Sequence, residues 1–447
     1  MRLFDLIERI KSMFSKSTYE QIAGTDVVLT STMIKNIDLW NEMLKGTAPW
    51  NEQNPALGVA AGICREFADI AINEMTAECT NETLDKYLKA CIRDLNENLQ
   101  DGLALGSFII KPYINGEKLE FEFVNADCFI PVKFAGNKLV DVMFIEHKEA
   151  GQNKHYFRIE RHRIIGDSLE ITNKAYFSSM ASSIGQPCKL SDVTEWANMP
   201  EAIMYPVAIM PFGFYKNPLK NRIDGSGCGV SIYSQAIELI KKTDIQGTRI
   251  DWEFESAERA LHVDERALKH GVNNGGAYLP ASKRKLYRGL NIDGKNEELF
   301  QEFSPALRQD GYLEGLESYL RQIEFVVGLA YGDLSDANYV DKTATEIKTA
   351  KQRKYNRVAA IQDNLKECLE DFVIACAFYL GMYNSGFETV INFSDSILTD
   401  EKEEREQDRQ DVNMGVMSLV EYRAKWYGET PEEAEKNIPE TTTVFEV

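Results

Sequence analysis

Motifs for nucleotide binding and hydrolysis are missing from the sequence. Its 447 residues contain no G-x-x-x-x-G-K-[ST] phosphate-binding loop, no H-E-x-x-H metal-binding helix and no G-x-S-x-G nucleophile turn. Histidines are scarce and do not pair at the spacing of a helical metal site; they occupy positions 147, 155, 162, 262 and 270. The sequence therefore predicts a protein that binds no metal and no other cofactor.

Long hydrophobic runs are missing as well. The first residues carry charges every few positions, unlike a secretory signal, and nowhere do about 20 apolar residues follow one another as in a membrane span. The opening segment is amphipathic instead, and its apolar face consists of Leu3, Phe4, Ile7, Ile10 and Phe14. We expect this segment to dock on a partner or on the parent domain, and the protein to be soluble without a membrane partner.

Cysteines are few and scattered. The eight residues include no C-x-x-C pair; they stand at positions 64, 79, 91, 128, 188, 228, 368 and 376. Cys368 and Cys376 fall on the apolar face of a predicted helix. The pattern predicts reduced, buried thiols in an intracellular protein rather than zinc ligands or disulfides.

Positive charge is in short supply, with 50 Lys and Arg against 70 Asp and Glu and a net charge of −20. Such a surface repels phosphate, which disfavours tight binding of duplex DNA or an anionic membrane unless basic groups are concentrated locally. Two concentrations exist: Lys283, Arg284, Lys285 and Arg288, and then Lys348, Lys351, Arg353, Lys354 and Arg357. The first group fits either phosphates or an acidic partner surface, and the second is predicted to pair with acidic groups of a neighbouring subunit.

The longest periodic stretch runs through residues 338–383. A capping box of Thr343 and Glu346 predicts a helix start, and Gly381 is a plausible stop. Between them, apolar side chains recur at helical spacing from Val358 to Tyr379, whereas the first half is basic. A long helix that is buried at one end and basic at the other suggests a strut in an assembly.

The rest of the chain predicts an α+β fold. Residues 1–100 have mainly helical periodicity, and residues 103–215 contain short β-branched and aromatic runs that are typical of an antiparallel sheet. Helices with apolar seams are predicted at 229–258 and 306–328, on either side of a small mixed module. They indicate a helical hairpin that carries this small module at its tip.

The C-terminal region predicts a strand followed by short polar helices. The strand is FETVINF, and two capping boxes mark later helix starts, at Ser418 with Glu421 and at Thr430 with Glu433.

The order of these parts resembles the portal (connector) proteins of tailed bacteriophages, of the type found in phages and prophages of Gram-positive bacteria. Four stretches carry the resemblance: N-R-I-D-G-S-G-C-G-V-S-I-Y at 221–233, F-x-x-x-x-P-A-L-R at 300–308, K-T-A-T-E-I at 342–347, and I-N-F-S-D-S-I-L-T-D at 391–400 with G-V-M-S at 415–418. Each is short, and their common order and spacing make the resemblance specific. It covers residues 25–440.

The resemblance implies a portal fold of seven parts. These are an α/β wing (1–228), a stem helix (229–258), a small mixed clip (259–305), a second stem helix (306–331), a tunnel loop (332–342), a long wing-spanning helix with a return strand (343–397), and a helical crown (398–447). The tunnel loop would face the central channel with Asp333, Ser335, Asp336, Asn338, Tyr339, Asp341 and Lys342.

The resemblance also implies a structural role without enzymatic activity. Portal proteins form a ring of about twelve subunits at one capsid vertex. The ring is the channel for packaging and ejecting double-stranded DNA, which it contacts without sequence specificity. Implied partners are the major capsid protein, scaffolding protein, terminase large subunit and head–tail adaptor. The implied location is the virion, and the host cytoplasm during assembly.

Two other functions remain open from the residues alone. One is a hydrolase on an unrelated α+β fold, which would use His155 and His162 beside the arginines of the same predicted strand. The other is a bacterial scaffold protein outside any phage.

Overall fold

The computed structural model describes residues 15–73, 75–116, 118–151, 153–258, 260–264, 287–290, 300–336, 344–393 and 401–438. Most strands follow one another within residues 107–216, and the described α-helices lie outside that stretch, so the fold is α+β, as predicted. Several predictions lie outside the described residues: the amphipathic segment at 3–14, the capping residue Thr343, the basic residues Lys283, Arg284 and Lys285, and the loop residues Asn338, Tyr339, Asp341 and Lys342.

The N-terminal part is mainly helical, as predicted. Its elements are α1 (Lys16–Ala23), α2 (Ser31–Leu44), α3 (Val59–Ile72), β1 (Met75–Cys79), α4 (Glu82–Arg93) and α5 (Leu95–Leu105). Side-chain caps explain three of the starts, because Ser15, Thr30 and Asn81 accept hydrogen bonds from first-turn N–H groups.

Residues 107–216 form two antiparallel sheets, which confirms the predicted sheet region. The strands are β2 (Ser107–Asn115), β3 (Lys118–Asn125), β4 (Phe129–Ala135), β5 (Lys138–Glu149), β6 (His155–Ile165), β7 (Ser168–Ser178), β8 (Gln186–Cys188), β9 (Ala202–Tyr205) and β10 (Gly213–Lys216). One sheet has the order β10-β2-β3; the other has the order β4-β5-β6-β7-β8, with β9 also paired to β7. Gly116 and Gly136, both at positive φ, form the predicted hairpin turns.

The helical hairpin consists of α6 (Ile237–Ser256) and α7 (Gln309–Val327), which pack against each other. Three short strands lie between them in sequence: β11 (Ala260–Asp264), β12 (Tyr287–Leu290) and β13 (Phe300–Phe303). They form a mixed sheet, in which β11 is parallel to β12 and antiparallel to β13.

The predicted start of the first hairpin helix, residue 229, is wrong by eight residues. The backbone before Ile237 is hydrogen-bonded to Leu103 and Asn217 instead. Ile232 N–H donates to the Leu103 carbonyl at 2.9 Å, and the Asn217 side-chain amide donates to the Val230 carbonyl at 2.9 Å. These groups are therefore not available for a helical ladder.

The long helix α8 (Ala344–Tyr379) confirms the predicted apolar face. Its fully buried side chains include Val358, Ile361, Leu365, Cys368, Leu369 and Phe372. α8 approaches β10 so closely that a Cβ on Gly213 would lie within 2.2 Å of the Cys368 carbonyl oxygen. Gly381, at φ 70°, ends the helix region as predicted.

The C-terminal strand β14 (Thr389–Phe393) returns to pair with β1. Three helices follow: α9 (Glu401–Asn413), α10 (Leu419–Tyr427) and α11 (Pro431–Lys436). Both predicted capping boxes are confirmed, since Ser418 with Glu421 and Thr430 with Glu433 exchange reciprocal hydrogen bonds.

Six of the eight cysteines are buried, and Cys128 and Cys188 are partly exposed. Burial raises the pKa of Cys64 and Cys368 well above the usual thiol value. Within the described residues, no helix combines the length and apolarity needed to cross a membrane.

Candidate functional site

The segment that follows α7, residues 330–336, is held by a buried carboxylate. Glu324, which is fully buried, accepts hydrogen bonds from the N–H groups of Gly332, Leu334 and Ser335 at 3.1, 2.7 and 2.8 Å. The Ser335 hydroxyl donates to the same carboxylate at 3.0 Å. This segment, called the loop root below, is therefore fixed on α7.

A second contact fixes the loop root on α8. The ammonium group of Lys354 lies 2.9 Å from a carboxylate oxygen of Asp333 and 2.8 Å from one of Glu66 on α3. Burial raises the pKa of Asp333, and the nearby Lys354 opposes that rise only in part. Lys354 thus joins the loop root, α3 and α8 inside one chain.

These contacts locate the predicted channel residues that the structure describes. Asp333 and Ser335 face inward with partners in their own chain, so their first role is to hold the loop root. Asp336 is exposed, and its N–H donates to Glu317 at 2.9 Å.

The basic residues of α8 make different kinds of contact. Lys354 is buried between two carboxylates, and Arg357 packs beside Gly328, where burial lowers its pKa. Lys351 is exposed. The guanidinium of Arg353 lies over the rings of Phe325 and Tyr331, with centroid distances of 4.9 and 5.4 Å. The side chains of Lys348 and of Arg288, on β12, lie outside the described residues.

Glu324 is a residue of the candidate site that the sequence prediction missed. It stands in the apolar seam of α7, between the buried residues Ile323 and Val327. The sequence signal for it was an acidic residue within an apolar helix seam. A carboxylate buried there needs hydrogen-bond donors from nearby segments.

Replacing Glu324 by Ala is expected to loosen the loop root, because three N–H groups lose their acceptor. A buried unsatisfied N–H costs roughly 1–3 kcal/mol, so local opening should become easier by about 2 kcal/mol. Amide hydrogen exchange at residues 332, 334 and 335 should then be about 30-fold faster.

The matched control for Glu324→Ala is Glu317→Ala, on the same helix. The Glu317 carboxylate accepts from the Asp336 N–H at an exposed position. Its loss should leave the exchange of the three amides unchanged. Equal acceleration in both variants would show that Glu324 does not hold the loop root.

Of the two histidines considered for hydrolysis, His155 contacts His147 at 3.0 Å, and His162 lies in a buried polar cluster between the two sheets. The cluster, called the inter-sheet cluster below, consists of Lys111, Glu122, Glu146, Arg158, Glu160, His162 and Asn173. His162 is fully buried, its Nε2–H donates to Glu160 at 2.5 Å, and burial lowers its pKa. A neutral imidazole without solvent access cannot act on an external substrate.

Charges in the inter-sheet cluster are closely paired. Arg158 donates to Glu146 at 2.9 Å, to Glu160 at 3.0 Å and to Asn173 at 2.8 Å. Lys111 lies 2.8 Å from Glu160. Burial alone would raise the pKa of Glu160, but Lys111, the hydrogen bond from His162 and the charge of Arg158 hold it well below its usual value. This is the pattern of a structural core.

A cavity of about 170 Å³ lies between β5, the segment before β10, and α8. Its polar lining consists of Asn137, Lys138, Lys216, Asn364, Glu367 and Asp371. It includes no histidine, serine, threonine or cysteine, so the usual nucleophile–base pair is missing there. Among the described residues, no group of three His, Cys, Asp or Glu side chains is arranged to hold a metal ion.

No family model matches the chain, and no curated protein matches it. Among solved structures, the chain is similar to one titled "Neck of native GTA particle computed with C12 symmetry". The two are 12% identical, the TM-score is 0.41, and the match covers 87% of this chain and 92% of the other. A TM-score below 0.5 establishes neither a common fold nor a common function.

Proposed function

We propose that this chain is the non-enzymatic subunit of a portal ring at one capsid vertex. About twelve copies form the channel for packaging and ejecting double-stranded DNA. The ring docks the terminase large subunit and a head–tail adaptor, and contacts the major capsid and scaffolding proteins. It is located in the virion, after assembly in the host cytoplasm.

The proposal assigns the parts of the chain as follows: wing 1–228, stem 229–258 and 306–331, clip 259–305, tunnel loop 332–342, long helix and return strand 343–397, crown 398–447. The four sequence stretches shared with portal proteins support this assignment. Asn338, Tyr339, Asp341 and Lys342 stay predicted channel residues, and Lys283, Arg284, Lys285 and Arg288 stay predicted partner or DNA contacts.

The observation that carries the ring is the exposed apolar surface of the helical hairpin. Trp252 and Phe254 on α6 are 66% and 47% exposed, and they project about 200° apart around the helix axis. On α7, Leu313 and Phe325 are 40% and 58% exposed. Large apolar side chains on both sides of one hairpin favour neighbours on both sides. A head-to-tail ring supplies them, because each copy then meets two others through different surfaces.

The charge of the chain supports a channel that does not bind DNA tightly. Each copy carries −20, and exposed carboxylates on and just after α6 include Asp251, Glu255 and Glu258. Assembly multiplies this field, which repels the phosphates of a passing duplex and limits adhesion.

The test is the oligomeric state, measured by native mass spectrometry and negative-stain imaging. Wild-type protein should give rings of about twelve copies with a central hole. The double variant Trp252→Ser with Phe254→Ser should give mainly monomers, because each buried aromatic side chain contributes about 2 kcal/mol to a contact.

The matched control is Met414→Ser with Val416→Ser, which removes two apolar side chains of comparable exposure, 65% and 76%, outside the hairpin. Its rings should persist. A wild-type monomer at every concentration, also with the scaffolding protein encoded by a neighbouring gene, would contradict the proposal.

The two alternative functions have less support. The hydrolase would need His162, which is buried and bound to Glu160. A bacterial scaffold protein could share the exposed hairpin, and it is distinguished by gene context: a portal gene lies beside capsid and terminase genes.

A further inference from the structure

Arg353 differs from its neighbour Lys354 in what it binds. Lys354 is paired with two carboxylates, whereas the Arg353 guanidinium makes no ion pair or hydrogen bond with the described residues. Its Nε and Nη2 atoms are buried beside the aromatic rings. In a chain with 70 acidic residues, this guanidinium is therefore held by aromatic rings and not by a carboxylate of the described residues.

The stacking prepares Arg353 to bind an oxyanion. Phe325 and Tyr331 lie against the guanidinium, at 4.9 and 5.4 Å, which restricts its rotation and leaves hydrogen bonding to the edge of the plane. A carboxylate that approaches Nη1 therefore meets a donor already in place. Because Phe325 is 58% exposed, the same approach would also bury an aromatic ring.

The surroundings favour a single carboxylate over duplex DNA. Four carboxylates, those of Glu66, Asp333, Glu324 and Glu317, lie around the loop root. A polyanion would be repelled by them. An arginine beside an exposed aromatic side chain is typical of the strongly binding centre of a protein–protein interface.

The hairpin geometry indicates which carboxylate of a second copy comes near. Gln246 donates to the Tyr312 carbonyl and Arg308 donates to Glu253, so α6 and α7 are antiparallel. Counted from these two contacts, Phe325 and Glu238 lie within about one helical turn of each other along the hairpin axis. Glu238 is exposed and has no ion pair among the described residues. In a ring of parallel hairpins, equal levels of neighbouring copies face each other.

We infer that the guanidinium of Arg353, held between Phe325 and Tyr331, binds the carboxylate of Glu238 from a second copy of the chain. The inference rests on the proposed ring and names one contact within it. The neighbouring copy packs over Phe325, and the ring of Phe325 then excludes water from the ion pair of Arg353 and Glu238. Lys351, exposed on the same helix, takes no part.

Assembly of full-length variants tests this contact. The protein concentration at which half of the chains are in rings should rise about tenfold or more for Arg353→Ala and for Glu238→Gln, because each leaves one member of a charge pair unpaired in the interface. Lys351→Ala, which removes the same charge from the same helix, should change it less than twofold. The combined variant Arg353→Glu with Glu238→Arg should assemble better than either single reversal.

Glu238→Gln leaves the loop root untouched, so a loss of assembly in that variant cannot come from misfolding around Arg353. Rings of Arg353→Ala and Glu238→Gln that form as readily as wild type would overturn the contact and leave the ring standing. A reversal pair no better than the single reversals would exclude Glu238. Normal assembly with reduced DNA retention in Arg353→Ala would identify a phosphate as the ligand instead. If wild type forms no ring, the proposed function fails, and this contact fails with it.

Discussion

Replacing Arg158 by Met is expected to lower the free energy of unfolding by about 3–5 kcal/mol, because buried carboxylates then lose their cation. Arg158 joins Glu146, Glu160 and Asn173 in the inter-sheet cluster. Without it, Glu160 keeps Lys111 and His162, but Glu146 keeps only the Trp196 indole N–H, at 3.2 Å, of the partners described here. Urea denaturation, followed by circular dichroism, measures the loss.

Arg163→Met is the matched control, with the same substitution on the same strand. Arg163 lies 2.5 Å from Glu170, but the two side chains are 38% and 18% exposed. An ion pair of that exposure contributes at most about 1 kcal/mol. Similar losses of unfolding free energy in Arg158→Met and Arg163→Met would show that burial does not make the ion pairs of Arg158 more important for stability.

A double variant separates the arginine from the charge that it leaves behind. Arg158→Met with Glu146→Gln removes both the cation and the less supported carboxylate. Its stability should recover by roughly half or more of the loss, since a buried pair costs most when only one partner is removed. No recovery would assign the loss to packing of the Arg158 side chain.

The elements that the sequence predicted correctly depend on local patterns. Three kinds of feature were predicted in this way: the apolar period of α8, the hairpin turns at Gly116 and Gly136, and the capping boxes of α10 and α11. In each of them, the residues that define the pattern are only a few positions apart in the sequence. The pairing of β1 with β14 joins residues that are far apart in the chain, and no local pattern encodes it. The predicted start of α6 was wrong for the same reason, since the distant residues Leu103 and Asn217 bind the segment before the helix.

The candidate site shows the same limit. The basic face of α8 was correctly placed on one helix, but the sequence could not show that Lys354 is neutralised by Glu66, which lies 288 residues away. Nor could it show that Arg158, Glu160 and His162, alternate residues of β6, lie in a covered face. Their alternation is typical of a solvent-facing strand, and burial comes from the second sheet.

Stability should fall as pH rises from about 5 to 8, and Glu122 should account for a large part of the fall. Glu122 stands opposite Lys111 on neighbouring strands, but Lys111 binds Glu160 instead. The Oε1 atom of Glu122 is buried without a hydrogen-bond partner among the described residues. Burial raises the pKa of Glu122 to about 8, opposed by Lys111 and supported by the charges of Glu160 and Glu146.

The direction follows from proton binding in the two states. Below the ordinary glutamate pKa, both states hold the proton and Glu122 contributes no pH dependence. Between that value and about 8, the unfolded chain loses the proton while the folded chain keeps it, so stability falls with pH. Above about 8, both states are ionised, and the full cost, on the order of 5 kcal/mol, is reached.

Glu122→Gln removes this titration, so the variant should gain on wild type by about 2–3 kcal/mol between pH 6 and 8. Denaturation at several pH values measures that difference. Asp371→Asn is the control, because burial raises the pKa of Asp371 only to about 6, and most of its effect is over below that range. Parallel pH profiles of Glu122→Gln and wild type would mean that Glu122 is ionised in the folded protein. Since Lys111 and Arg158 balance Glu146 and Glu160 when Glu122 is neutral, the inter-sheet cluster would then carry one uncompensated negative charge.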